Sequence, residues 1–233
     1  MIIKTLILII SLSILTFGQS KEADELLNHI KDKLNQVNDY SVNVEVSVIM
    51  DFLKMPKSKA ELYFKKPDKF RFHSNNFAIL PKAGVDFNPQ KILSSDYTAD
   101  IIGDTLINSS LISIIEIIPD SDSSKFDSAK LFVDKNELLI KQIILNAGEG
   151  YSIKTEFNYD GQKQFALPSE IMVSLDFKEP EKENSKKRRS KIPDSFKGEI
   201  KILYTDYKVN QGIDDSVFFE EIENSEDKMN DNK

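Results

Sequence analysis

The chain has 233 residues and a formal net charge of -7, from 31 basic and 38 acidic side chains, and it contains no cysteine. An acidic chain whose basic residues gather only locally is a poor match for a phosphate backbone, which excludes a general nucleic-acid binder. Without cysteine there is no disulfide and no lipidated cysteine at a signal-peptide junction, so the chain is not expected to be a lipoprotein itself.

Residues 1–20, MIIKTLILIISLSILTFGQS, place Lys4 before an apolar run over 6–17 and small or polar residues at Thr16, Gly18 and Ser20. This is the pattern of a secretory signal peptide, with cleavage after Gly18 or Ser20. The apolar run is shorter than the roughly 20 residues that span a bilayer, so the expectation is a cleaved leader and a soluble exported protein. Loss of Lys4 takes the formal charge from -7 to -8. What remains, 21–219 before an acidic, asparagine-rich tail at 220–233, has the size of one all-β domain with a single core.

Apolar residues at Ala23, Leu26, Leu27, Ile30, Leu34 and Val37 keep the three-and-four spacing of one helical face, and Glu22, Asp24 and Glu25 complement the dipole of its first turn. That face needs a partner surface, either a plain sheet or one wall of a cavity. Residues 40–52 then alternate, with Val42, Val44, Val46, Val48, Met50 and Phe52 on one parity, as in a long half-buried strand. A turn around Pro56 returns the chain over 58–66.

The central stretch is 62–72, LYFKKPDKFRF. Leu62, Phe64, Lys66, Phe70 and Phe72 share one parity, so a turn at Pro67 that keeps the phase puts the four apolar residues on one sheet face with Lys66 at its rim. Lys66 has two readings, a solvated edge charge beside a proline turn or a latch at the mouth of an apolar cavity. Further on, Asn88 and Pro89 suit a helix start, and a short helix over 89–94 would present Ile92 and Leu93 as a lid or as a plain connector.

From residue 97 the chain reads as antiparallel strands joined by short turns: 97–102, a turn at Gly103 and Asp104, 105–118, 128–134, 138–146, 151–159, 167–177 and 198–209. In 111–118 both parities are apolar except Ser113 and Glu116, which predicts cover on both faces. Residues 178–197 hold eight basic and four acidic side chains and two prolines, the composition of a disordered loop insertion. Its basic cluster, Lys186 to Arg189 with Lys191, is either solvated or a contact for anionic headgroups or an acidic partner.

No HExxH, GxSxG or glycine-rich phosphate loop occurs, and nothing joins a nucleophile to a base. His29 reads as a helix boundary residue, His73 as water-facing, and Asp214 and Asp215 as turn carboxylates. The expectation is therefore a non-enzyme with no catalytic residue, metal site or cofactor.

KKPDKFR after a helix and a long strand, then FDSAKLFVDKNELLIKQI, the strand ending in FNYDG, ALPSEI and the closing DDSVFF, resembles the LolA/LolB-like family of bacterial envelope proteins over most of 23–219. Members carry or receive the acyl chains of lipoproteins. The resemblance implies a mainly β (α+β) fold, a strongly curved antiparallel sheet or incomplete β-barrel wrapping an N-terminal amphipathic helix and a short lid helix. It also implies a periplasmic, monomeric carrier, with lipoprotein acyl chains or lipids as ligand and an inner-membrane release complex and an outer-membrane acceptor as partners. On this reading Leu62, Phe64, Phe70 and Phe72 line the acyl cavity, and Lys66, Arg71, Ile92 and Leu93 form lid and latch. Lys66 stands where the family often has arginine, and 75–86 replaces an expected hairpin; both departures fit a specialised paralogue. Two other readings stay open: an envelope-stress sensor of the same fold that binds a membrane protein, and a sheet whose apolar face is only a core.

Overall fold

The computed structural model describes residues 21–51, 53–73, 89–94, 96–107, 109–120, 126–146, 151–178 and 195–219. Residues 1–20, read from the sequence as a signal peptide, the basic stretch 179–194 and residues 220–233 lie outside the described residues, as does 75–86.

Helix α1 covers 21–35 and buries Ala23, Leu26, Leu27, Ile30 and Leu34, the face that the three-and-four spacing marks out. Strands β1 (Asp39–Met50), β2 (Leu53–Lys54), β3 (Ser58–Lys65) and β4 (Lys69–His73) follow, and then a short helix α2 (Pro89–Leu93). Seven more strands complete the sheet: β5 (Tyr97–Ile107), β6 (Ser110–Pro119), β7 (Ser128–Asp134), β8 (Leu139–Asn146), β9 (Tyr151–Asn158), β10 (Glu170–Lys178) and β11 (Ser195–Val209). All pairings are antiparallel, in the order β4-β3-β1-β11-β10-β9-β8-β7-β6-β5, with β2 beside β1. The sheet is therefore open, and β4 and β5 are its edges.

Its curvature follows from packing. β1 and β5 stand seven strand spacings apart, which in a flat sheet is ~34 Å at ~4.8 Å per strand. Yet Val42 to Val48 of β1 and Ala99 and Ile101 of β5 join one core cluster with α1, a cylinder only ~10 Å across. The sheet must wrap the helix, and burying α1 is what curls it. Polar contacts fix the helix at both ends of its path. Lys135 Nζ meets Glu22 at 2.9 Å, and Lys33 Nζ donates to the Glu137 carbonyl at 2.6 Å.

Four local expectations change. Residues 105–118 are not one strand, because the chain reverses between Ile107 and Ser110 and Leu106 pairs with Leu111. Gly103 and Asp104 are not a turn: β5 continues through them, and a bulge absorbs the irregularity between Ile101 and Gly103. Asp104 stays paired there, accepting from Ser113 Oγ at 2.6 Å. The cover over β6 is uneven, since Ile112, Ser113, Ile115 and Ile117 are buried while Leu111 and Ile118 are exposed near the strand ends. Finally, the β10–β11 ladder runs out to Lys178 opposite Ser195, so both strands reach into the segment read as a loop.

Candidate functional site: an apolar cavity under the β3–β4 edge

A cavity of about 100 Å³ lies between the C-terminal end of α1 and the inner faces of β1, β3, β4, β9, β10 and β11. Leu62 pairs with Phe72 and Phe64 with Phe70 across the β3–β4 hairpin, so all four point to one face, and all four line the cavity. The Phe64 and Phe70 rings are 4.8 Å apart, and Phe64 reaches Tyr40 at 5.2 Å. Phe64 is buried, whereas Phe70 is 43% exposed and forms the outer lip. Val44, Val46 and Ile202 make the deeper wall, and Leu34 and Val37 close it from the helix side.

Tyr204 and Tyr207 lie three positions apart on β11, which in a regular strand would point them to opposite faces. Both nevertheless line the cavity. The register between β1 and β11 shifts between Ser41 and Asn43, and Asp206 takes a left-handed φ of 59° there while accepting from Asn43 Nδ2 at 3.0 Å. That bulge turns both tyrosines inward. Their rings stack at 6.1 Å, and Tyr40 meets Tyr207 edge-on at 5.7 Å. Tyr207 donates its hydroxyl to the Pro168 carbonyl at 2.9 Å, and Tyr159, also in the wall, donates to the Ile140 carbonyl at 2.8 Å. The Tyr40 and Tyr204 hydroxyls make no hydrogen bond among the described residues. Burial in this apolar wall pushes all four phenols far above their ordinary range, so each remains an O–H donor.

The residues read as lid and latch are dispersed. Lys66 Nζ donates to the Asn35 carbonyl at 2.5 Å, so it caps the C-terminal turn of α1. Arg71 donates to the Phe219 carbonyl. Ile92 and Leu93 are buried in the main core cluster, and within α2 it is Pro89 that lines the cavity.

Around the hairpin's outer side runs the C-terminal segment. Asp215 meets Lys65 at 2.7 Å and Lys69 at 3.0 Å, and Lys65 also donates to the Ile213 carbonyl. Upstream, the buried Asp39 carboxylate accepts from the backbone N–H groups of Gln211 and Gly212 at 3.0 and 3.1 Å. Among the described residues, polar contacts and not another strand thus clasp the cavity's edge hairpin. A second anchor lies under α1, where Glu137 takes Lys141 at 2.7 Å and Lys163 at 2.6 Å. Hydrogen bonds from these two lysines hold its carboxyl at about 2.

Among the described residues no three His, Cys, Asp or Glu side chains gather as metal ligands, and no helix is long and apolar enough to cross a membrane. His29 and His73 are both exposed.

No family model and no curated protein sequence matches the chain. Solved structures do match. A domain named as an outer membrane lipoprotein-sorting protein from Vibrio parahaemolyticus superposes with a TM-score of 0.60 at 12% identity, covering 86% of this chain and 97% of that one. A DUF1329 family protein from Desulfovibrio piger gives 0.57 at 12% identity over 86% and 97%. A LolA superfamily protein from Nitrosomonas europaea gives 0.52 at 12% identity over 85% and 97%. The chain has a LolA-like fold. Within that fold the cavity lies between the sheet's concave face and the end of α1, with the aromatic β3–β4 hairpin as its free edge.

Proposed function

We propose that the protein is an exported carrier that shields lipid acyl chains, such as those of lipoproteins, from water during transfer between membranes. The observation that carries this reading is the apolar cavity with opposed aromatic pairs, Leu62–Phe72 and Phe64–Phe70, on the edge hairpin of a LolA-like sheet. No covalent step is required. Each methylene taken from water into such a wall contributes about 0.8 kcal/mol, so one acyl chain supplies substantial affinity.

The volume sets a condition on loading. About 100 Å³ is below the roughly 300–1,000 Å³ of ordinary ligand pockets, so the walls must part to admit a chain. The β3–β4 hairpin is the wall that can part, because among the described residues β4 has no strand on its outer side and side-chain contacts hold the hairpin there. Opening it exchanges aromatic contacts within the hairpin for contacts with ligand.

The test is extraction of an acylated lipoprotein from liposomes. After sedimentation of the vesicles, a soluble one-to-one complex is expected with the wild-type protein and its loss with Phe64→Glu, circular dichroism confirming that the sheet persists. A wild-type protein that extracts nothing, or a folded Phe64→Glu that extracts normally, overturns the reading.

A further inference from the structure

The cavity wall is apolar except for its tyrosines, and these are not equivalent. Tyr207 stands in the middle, its hydroxyl committed to the Pro168 carbonyl. Tyr40 and Tyr204 flank it, their rings 5.7 and 6.1 Å from its own. Both line the cavity, yet neither hydroxyl has a partner among the described residues. A purely hydrocarbon ligand would strip water from these two donors and return nothing, which is unfavourable. A ligand carrying an acceptor oxygen at this depth would satisfy them.

Position along the strand says which part of an amphiphile that is. Tyr40 lies near the start of β1, beside Phe64 and the half-exposed Phe70 at the lip. Val44, opposite Tyr204, and Val46, opposite Ile202, follow inward, and Val48 opposite Ile200 belongs to the closed core. Tyr40 thus stands at the mouth and Tyr204 level with the first residue of the deeper wall, so the pair spans the approach along which the carbonyl of an acyl group would lie with its tail directed inward.

We infer that Tyr40 and Tyr204 form a carbonyl anchor, donating hydrogen bonds to the ester oxygens of a diacyl ligand, so that the cavity selects acyl esters over chains of equal length lacking a carbonyl. The inference rests on the acyl-carrier reading and deepens it. Tyr207, fixed by Pro168, holds the two flanking rings in place, so the donors are positioned before ligand arrives.

The experiment compares ester-linked lipids with their ether-linked counterparts, which keep the chains and replace each carbonyl by a methylene. Two pairs separate the sources of the ester: a diacylglyceryl-cysteine lipopeptide with its dialkyl analogue, and phosphatidylglycerol with its dialkyl analogue. Each hydroxyl is expected to contribute about three- to tenfold, so the ester member of the accepted pair binds about tenfold tighter or more. Tyr40→Phe/Tyr204→Phe keeps both rings and should abolish the preference, weakening ester binding several-fold while ether binding tightens, because the donors that the ether lipid strips of water are gone. Equal wild-type affinity for ester and ether, or equal loss of both in the double variant, overturns the anchor and leaves the carrier reading standing. Binding of neither member of either pair overturns the carrier reading and the anchor with it.

Discussion

Removing the Phe64 ring is the sharpest perturbation of the proposed wall. Phe64 is 5% exposed and packs on Tyr40 and Phe70, with Val37 and Leu167 completing its small cluster. A Phe→Ala change in a closed core costs about 3–5 kcal/mol. Because one side of this ring already borders a cavity, the lower end applies, about 3 kcal/mol, including the two lost aromatic pairs. In a domain of this size each kcal/mol moves Tm by about 2–4 °C, so Phe64→Ala should melt about 6–12 °C below wild type. Phe70→Ala, at a position 43% exposed, should cost about half as much. Calorimetry without ligand measures both, and a repeat with saturating acyl lipid should return more stability to Phe64→Ala than to wild type, since the enlarged cavity accepts the chain with less opening. A Phe64→Ala Tm within 2 °C of wild type, or a smaller loss than for Phe70→Ala, would refute the packing argument.

Other substitutions probe the frame around the cavity. Thr155 is buried with an unpartnered Oγ1, so Thr155→Val should raise stability by about 1 kcal/mol; a lowered urea midpoint would contradict this. Asp39→Ala frees the N–H groups of Gln211 and Gly212 and should cost about 2–3 kcal/mol in denaturant unfolding, a loss below 0.5 showing that the C-terminal clasp does not depend on it. Glu137 has a depressed folded pKa, about 2 against 4.5, so its contribution is complete above pH 4.5 and is lost as pH falls towards 2. With the side chain about a third exposed, screening reduces that contribution to about 1 kcal/mol. Glu137→Gln should flatten stability between pH 4.5 and 2, and an unchanged acid slope would reassign the effect to other carboxylates.

Local pattern carried much of this fold. The face of α1 and the alternation in β1 and β3 are consequences of nearest-neighbour geometry, and so is the pairing of Leu62 with Phe72 and Phe64 with Phe70, which needs only a turn that keeps the strand phase. Bulges defeat the same arithmetic. Gly103 and Asp104 look like a turn but occupy a strand, and Tyr204 and Tyr207 look like opposite faces but share one, because each case depends on one residue whose extra length is absorbed by a partner strand. Distant partners are equally invisible along the chain: nothing near Lys66 announces the Asn35 carbonyl, and nothing near Lys65 announces Asp215. The resemblance in KKPDKFR and the later segments reached the LolA-like fold, while the two tyrosines whose hydroxyls have no partner among the described residues emerged only from the folded sheet.

The carrier account is tested most directly by photocrosslinking in cells from a photoreactive residue at position 64, with the adducts identified by mass spectrometry. The account predicts several different lipoproteins, each joined through its acylated terminus. A single membrane protein would contradict it in favour of a sensor, and adducts within the chain alone would mean that the cavity is only a core.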